Sequence, residues 1–178
     1  MQLHTLTAIL IGGLALASSA AIAQTTPPVS NPLDAIPEKM PFNVPYGAPI
    51  SADRAQAVIQ ATLAEANKRG WPLNIAVVDS GANLVSFLRM DGAQLASIAI
   101  SEHKARAAVK YRRPTRAFED AVQKSDYKYI LSLDDVIASR GGIPLIEDGK
   151  LIGAVGCSGA TGSQDEAACT IGASVVNK

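Results

Sequence analysis

The chain of 178 residues carries 16 basic and 16 acidic side chains, is 48% hydrophobic and only 4% aromatic. That length holds one ordinary globular domain, the balanced charge gives no global field for nucleic acid or an acidic membrane surface, and scarce aromatics remove a base-stacking platform. Zinc-hydrolase signatures, a P-loop and a G-x-S-x-G elbow are missing from the sequence.

Residues 1–23 contain no Lys, Arg, Asp or Glu, and an apolar run from Ala8 to Ala17 leads to Ala21-Ile22-Ala23. The run is shorter than the roughly 18 apolar residues of a membrane span and reads as a secretory signal peptide cut after Ala23. Its first residues include His4 but no Lys or Arg, a departure from the usual pattern. The mature protein is therefore expected to be periplasmic or secreted, with no stable membrane span after cleavage. Export places Cys157 and Cys169 in an oxidising compartment and leaves His103 as the single histidine.

Residues 24–49 hold seven of the ten prolines, Pro27, Pro28, Pro32, Pro37, Pro41, Pro45 and Pro49. Such a segment lacks backbone donors and favours extended conformation. It is either a spacer or an arm lying along its own domain or a neighbouring subunit through Phe42, Val44 and Tyr46.

From Ser51 the pattern turns periodic. Ser51 can cap a helix that puts Ala55, Val58, Ile59, Thr62 and Ala66 on one face and ends at Gly70 and Pro72. Leu73 to Asp79 and Leu84 to Met90 read as strands joined by Ser80-Gly81-Ala82-Asn83. Leu95 to Val109 is a helix of small residues, followed by a shorter one over Thr115 to Gln123 and another over Leu133 to Ser139. Ile143 to Ile146 and Leu151 to Val155 flank Asp148-Gly149, a hairpin signal. After the glycine-rich stretch Gly156 to Gly162, Ser163 with Glu166 fits a capping box opening a last helix, Gln164 to Val176. Hairpins with segregated helices predict a two-layer α+β domain. Cys157 and Cys169 can form a disulfide, which needs Cα atoms within about 7 Å, or remain two buried thiols.

Several runs together resemble the GlcG/HbpS family, also found as the C-terminal domain of PduO-type proteins. They are Val77-Val78-Asp79-Ser80-Gly81 with Leu84, Arg89-Met90-Asp91-Gly92-Ala93, Lys104-Ala105-Arg106 with Ala108, and Arg113-Pro114-Thr115. Gly141 to Leu145, Ile152 to Gly156, Ser158-Gly159 and Gln164-Asp165-Glu166 follow in the same order. The resemblance implies a profilin-like α+β domain over residues 50–178, a five-stranded antiparallel sheet with helices packed on it, assembled as a homo-oligomer. It also implies haem binding in some members. Ala107 stands where the family often has Thr, and Cys157 where Val is common.

His103 is the only imidazole available to hold haem iron in the mature chain, beside Ala96, Ala99, Ile100 and Ala107. Met90 is the alternative axial ligand. Lys104, Arg106, Lys110, Arg112, Arg113 and Arg116 form a basic segment free of acids, suited to carboxylates such as haem propionates or simply a solvated face. Glu102 and Arg106, four apart, can pair internally. Tyr111 within the segment can donate to a carboxylate or ligate iron. Asp79 and Asp91 are either turn residues or a pair of carboxylates for acid–base work. Residues 156–163, leading into a helix, offer backbone N–H groups to an anion. The leading expectation is an exported oligomeric haem- or tetrapyrrole-binding protein. The alternatives are a small enzyme acting on an organic acid through Asp79, Asp91 or His103, and a non-catalytic sensor or interaction partner.

Overall fold

The computed structural model describes residues 36–177, so the expected signal peptide (1–23) and the arm's first half (24–35) lie outside the described residues. Lys39 onward forms one unit. Helix α1, Ala52–Arg69, begins where the Ser51 hydroxyl accepts from Arg54 N and stops at Gly70 with φ 67°, a left-handed turn that glycine adopts without penalty. Its buried face is the expected Ala55, Val58, Ile59, Thr62 and Ala66. Thr62 satisfies its buried hydroxyl by donating to Val58 O.

Four strands, β1 (Asn74–Asp79), β2 (Leu84–Arg89), β3 (Gly142–Glu147) and β4 (Lys150–Ser158), form one antiparallel sheet in the order β2-β1-β4-β3. The β3–β4 turn uses Asp148 at φ 48° and Gly149 at φ 71°, the two positive-φ positions of a tight hairpin. The expected fifth strand is absent among the described residues. Beside the start of β4 lie residues 45–50, where Leu151 N donates to Pro45 O, Gly47 N to Leu151 O and Ile50 N to Ile152 O. Only a single bridge, Tyr46 to Leu151, forms there, because Pro45 and Pro49 have no N–H to continue a ladder.

Helices cover both faces of the sheet, a correction to the two-layer expectation. Ile75 and Val77 pack with α1 and with α4 (Gly162–Ala173), whereas Ala76 and Val78 pack with α2 (Ala96–Lys110). Strand β1 is therefore buried on both sides, and its sequence runs Ile-Ala-Val-Val without polar alternation.

Helix α3 spans Arg116–Ser125, and a short 3-10 turn follows at Lys128–Ser132. The helix expected over Leu133 to Ser139 does not form, since Asp135 turns the chain at φ 61°. That segment instead lies against the outer side of α2. There Ala107, Phe118 and Ile130 form a small core with Val136, Ile137 and Ala138. Helix α4 starts two residues before the expected cap: Thr161 and Gln164 make the reciprocal capping box, the same chemistry read at Ser163 and Glu166. Cys157 and Cys169 are joined as a disulfide with Cα atoms 5.8 Å apart, fixing α4 to the end of β4.

Candidate functional site

The functional residues read from the sequence cluster on α2, and the two sides of that helix differ. Ser97, Ser101, Lys104, Ala105 and Ala108 fall at helical spacing on the sheet-facing stripe and are all buried. The outward side carries Ala96 and Ala99, both exposed, then half-buried His103, buried Ala107 and exposed Lys110. Leu95, just before the helix, is 72% exposed. The apolar surface expected beside His103 is thus present on its N-terminal side. On its C-terminal side Ala107 is covered by the 130–138 segment.

His103 Nε2 is shut off from solvent and has no hydrogen-bond partner within the protein. A buried polar nitrogen left unpaired costs about 1–3 kcal/mol and calls for a reason. Among the described residues, no group of three or more His, Cys, Asp and Glu side chains forms a metal cage. A buried imidazole nitrogen without a partner is a donor of the kind that would hold a haem iron.

The basic segment is used differently from the expectation. Lys104 is 1% exposed, donates to Asp165 Oδ2 at 2.8 Å and to Cys157 O at 3.1 Å, and is not free for a ligand. Arg106 pairs with Glu102 at 2.6 Å, as the four-residue spacing allows. Lys110 bonds the Asp135 carboxylate. Arg112 donates to Val44 O at 3.3 Å and lies over the Tyr46 ring. Arg113 donates to Tyr111 O and stacks 3.4 Å from the Phe42 ring centre. Burial, then the neighbouring Arg112 charge, brings the Arg113 guanidinium below its usual value. Arg116 reaches Glu166 and Asp120, and Tyr111 Oη donates to Asp134 O at 2.6 Å. Residues Phe42, Val44 and Tyr46 thus hold the arm to its own domain, with Tyr46 Oη donating to Val109 O and Lys110 O at the end of α2.

Asp79 and Asp91 are not a pair. Register places Asn74 opposite Arg89 and Val78 opposite Leu84, so the two carboxylates sit at opposite ends of the β1–β2 hairpin, about 17 Å of strand apart. Asp79 Oδ1 accepts from Gly81 N and Asn83 N, a turn role. Asp91 and Met90 help line an open hollow of about 320 Å³ with Leu63, Asn67, Leu88 and Arg89, on the face of the sheet opposite α2. Met90 Sδ accepts from Leu73 N there, so Met90 and His103 do not share a site.

The loop after β4 also turns inward. A Cβ on Gly156 would lie 2.1 Å from Ser101 O, so α2 occupies the space above it. Ala160 N donates to Asp165 Oδ1 and Thr161 N to Gln164 Oε1, supplying the loop's donors to the protein's own side chains. Asp165 is the residue that sequence reading missed. Burial raises its carboxyl above the ordinary range, against the pull of Lys104. Its signal was available in Lys104, which falls on the buried stripe of α2 and therefore needs an acid. A second network joins α3 to the start of α4. Arg140 forks onto Glu119 at 2.6 and 2.8 Å. Burial alone would raise the Glu119 carboxyl, but the hydrogen bonds and charge from Arg140 hold it below its usual value.

The arrangement is that of a sheet-supported helix presenting one unpaired imidazole, and residues 50–174 match the family described as haem degrading protein HbpS-like, to which the chain belongs. Protein GlcG of Escherichia coli strain K12 is 37% identical over 109 residues, 61% of this chain and 81% of that protein. Among solved structures, the PduOC:Heme complex shares 27% identity at a TM-score of 0.67, covering 73% of this chain and 96% of that one. HbpS shares 26% identity at a TM-score of 0.69, covering 76% and 96%. The α+β fold is that of these relatives, with four strands in the sheet described here.

Proposed function

We propose that the chain is an exported, oligomeric haem-binding protein in which His103 Nε2 ligates the iron. The observation that carries this reading is the buried, unpartnered Nε2 on the outer side of α2, in a chain similar to a protein solved as a haem complex. Haem, when bound, would supply an iron centre, and His103 Nε2 would be the side-chain nitrogen that holds it. The exposed Ala96 and Ala99, respectively two turns and one turn before His103, leave room for a flat ring against the helix. Arg106 and Lys110, whose ion pairs with Glu102 and Asp135 stand partly in solvent, are the cations that turn to the propionates. Lys104, Arg112, Arg113, Tyr111 and Met90 keep structural contacts in this reading.

Export is supported by the buried Cys157–Cys169 disulfide, which suits an oxidising compartment. Among the described residues, no helix is long and apolar enough to cross a membrane. Self-association is supported by exposed apolar side chains around α2, namely Leu95, Leu131 and Leu133.

Haemin titration of the purified protein beside a His103→Ala variant tests the assignment. A saturable Soret shift in the wild type, lost or moved in the variant, is expected. No shift in the wild type would reject haem binding, and an unchanged shift in the variant would reject the ligand.

A further inference from the structure

Residues 128–138 lie over the side of α2 that carries His103. Ala107, one turn beyond His103, packs against Ile130, Val136 and Ile137. Lys110, a further turn on, bonds the Asp135 carboxylate, and that carboxylate also feels the charges of His103 and Arg106. The segment is lightly built. Within it only Ile130 is fully buried, while Tyr129, Leu131 and Leu133 are about half exposed. It holds no strand pairing, and its one regular turn is the 3-10 helix at Lys128–Ser132. Asp135 sits at φ 61°, a conformation that a side-chain-bearing residue adopts at some cost, although Asp tolerates it better than most. Two polar contacts tie its tip to α2. These are the Lys110–Asp135 ion pair, with side chains 46% and 35% exposed, and the Tyr111 Oη bond to Asp134 O.

From this juxtaposition we infer that residues 128–138 are a lid over His103, latched by Lys110–Asp135 and Tyr111–Asp134, that must swing out before the imidazole nitrogen can take a ligand. In this reading the lid, closed on Ala107 one turn away, is what shields the unbonded Nε2 from solvent. Its ends are the left-handed Asp126, where α3 stops at φ 55°, and Ser139, just before Arg140, which Glu119 anchors through both backbone N and guanidinium. Breaking the latch itself costs little: a half-exposed ion pair and one hydrogen bond contribute a factor of about 5 to 30, added to the packing of Ile130, Val136 and Ile137 on Ala107. The lid gives the haem reading its entry step, but the cover itself is tested without haem.

The test uses Asp135→Asn, which keeps a residue tolerant of positive φ while removing the charge, combined with Tyr111→Phe, which keeps the ring against Phe118 and removes only the hydroxyl. The first readout is the rate at which diethyl pyrocarbonate modifies His103 in the full chain without haem, followed by peptide mass mapping to separate it from His4. Modification is expected to be slow in the wild type and about fivefold or more faster in the double variant, at unchanged helix content. Equal rates in the two proteins, or wild-type reactivity matching that of an unstructured histidine peptide, would overturn the lid. The second readout is the rate of haemin association by stopped-flow absorbance, expected to rise by a similar factor. An unchanged association rate in a protein that binds haemin through His103 would show that ligand entry does not pass this segment. A wild type that binds no haemin would reject the proposed function, leaving the modification rates to decide the lid.

Discussion

On its inner side α2 lies directly on backbone: Gly142 and Gly156 have no side chains because Lys104 O and Ser101 O fill the space a Cβ would need. The same side buries Lys104 against Asp165 from α4, and the disulfide holds α4 to the strand end from which Cys157 O receives Lys104. On its outer side the helix meets a short 3-10 turn and a loop, held by a small apolar cluster, one ion pair that water reaches and one hydrogen bond. The inner side has one possible arrangement, since a shift of an ångström would strand a buried charge. The outer side has contacts that are cheap to break, and it is where the unpaired imidazole sits. Rigidity under the helix and looseness over it are complementary: the first positions His103, and the second lets something reach it.

The contrast breaks most directly at Lys104. Lys104→Met leaves Asp165 buried without its cation and is expected to cost about 3–5 kcal/mol in urea unfolding, whereas Lys104→Met with Asp165→Leu recovers most of the loss. Lys110→Ala on the outer side is expected to cost under about 1 kcal/mol by the same measurement. Comparable losses from Lys104→Met and Lys110→Ala would remove the distinction between the sides. The next effect belongs to the disulfide. Replacing Cys157 and Cys169 together by Ala opens a link between positions 12 apart and is expected to cost about 2–3 kcal/mol of unfolding free energy.

The smallest effect sharpens the outer side. The Lys110 hydrogen bond, outweighing burial and helped by the Lys110, His103 and Arg106 charges, keeps the Asp135 carboxyl below its ordinary value. A carboxyl lowered on folding stabilises the fold above its unfolded value, near pH 4, and that contribution fades as pH falls through the lowered one. Wild type is therefore expected to lose slightly more stability than Asp135→Asn between about pH 5 and pH 3. Solvent screening keeps the difference below about 1 kcal/mol. Parallel pH curves would show that the pair contributes nothing to the closed lid.

Local chemistry made much of the fold legible. The α1 face, its Ser51 and Gly70 ends, the β1–β2 hairpin and the Asp148-Gly149 turn each depend on residues a few positions apart. The α4 cap slipped by two residues because Thr161–Gln164 and Ser163–Glu166 carry the same signal, and only packing chooses between them. The fifth strand was expected from the resemblance alone, since no run of residues reads as it, and the four strands that form are the four the sequence pattern marks. The site was less legible. His103 stood out as the single imidazole of the mature chain, and the Glu102–Arg106 pair was legible from its spacing, but the acids that meet Lys104 and Lys110 lie far along the chain. Lys104 meets Asp165 across 61 positions, and Lys110 meets Asp135 across 25. A run of cations without acids among them read as either a carboxylate site or a solvated face, and tertiary contacts occupy most of it instead.

The account turns on whether His103 Nε2 takes iron, and chemical rescue measures that directly. His103→Gly protein is mixed with haemin, and its visible spectrum is recorded before and after free imidazole is added. The wild-type spectrum is expected to be lost in the variant and to return with imidazole, which would supply from solution the nitrogen that the variant lacks. A variant that shows the wild-type spectrum with no imidazole present would contradict the account.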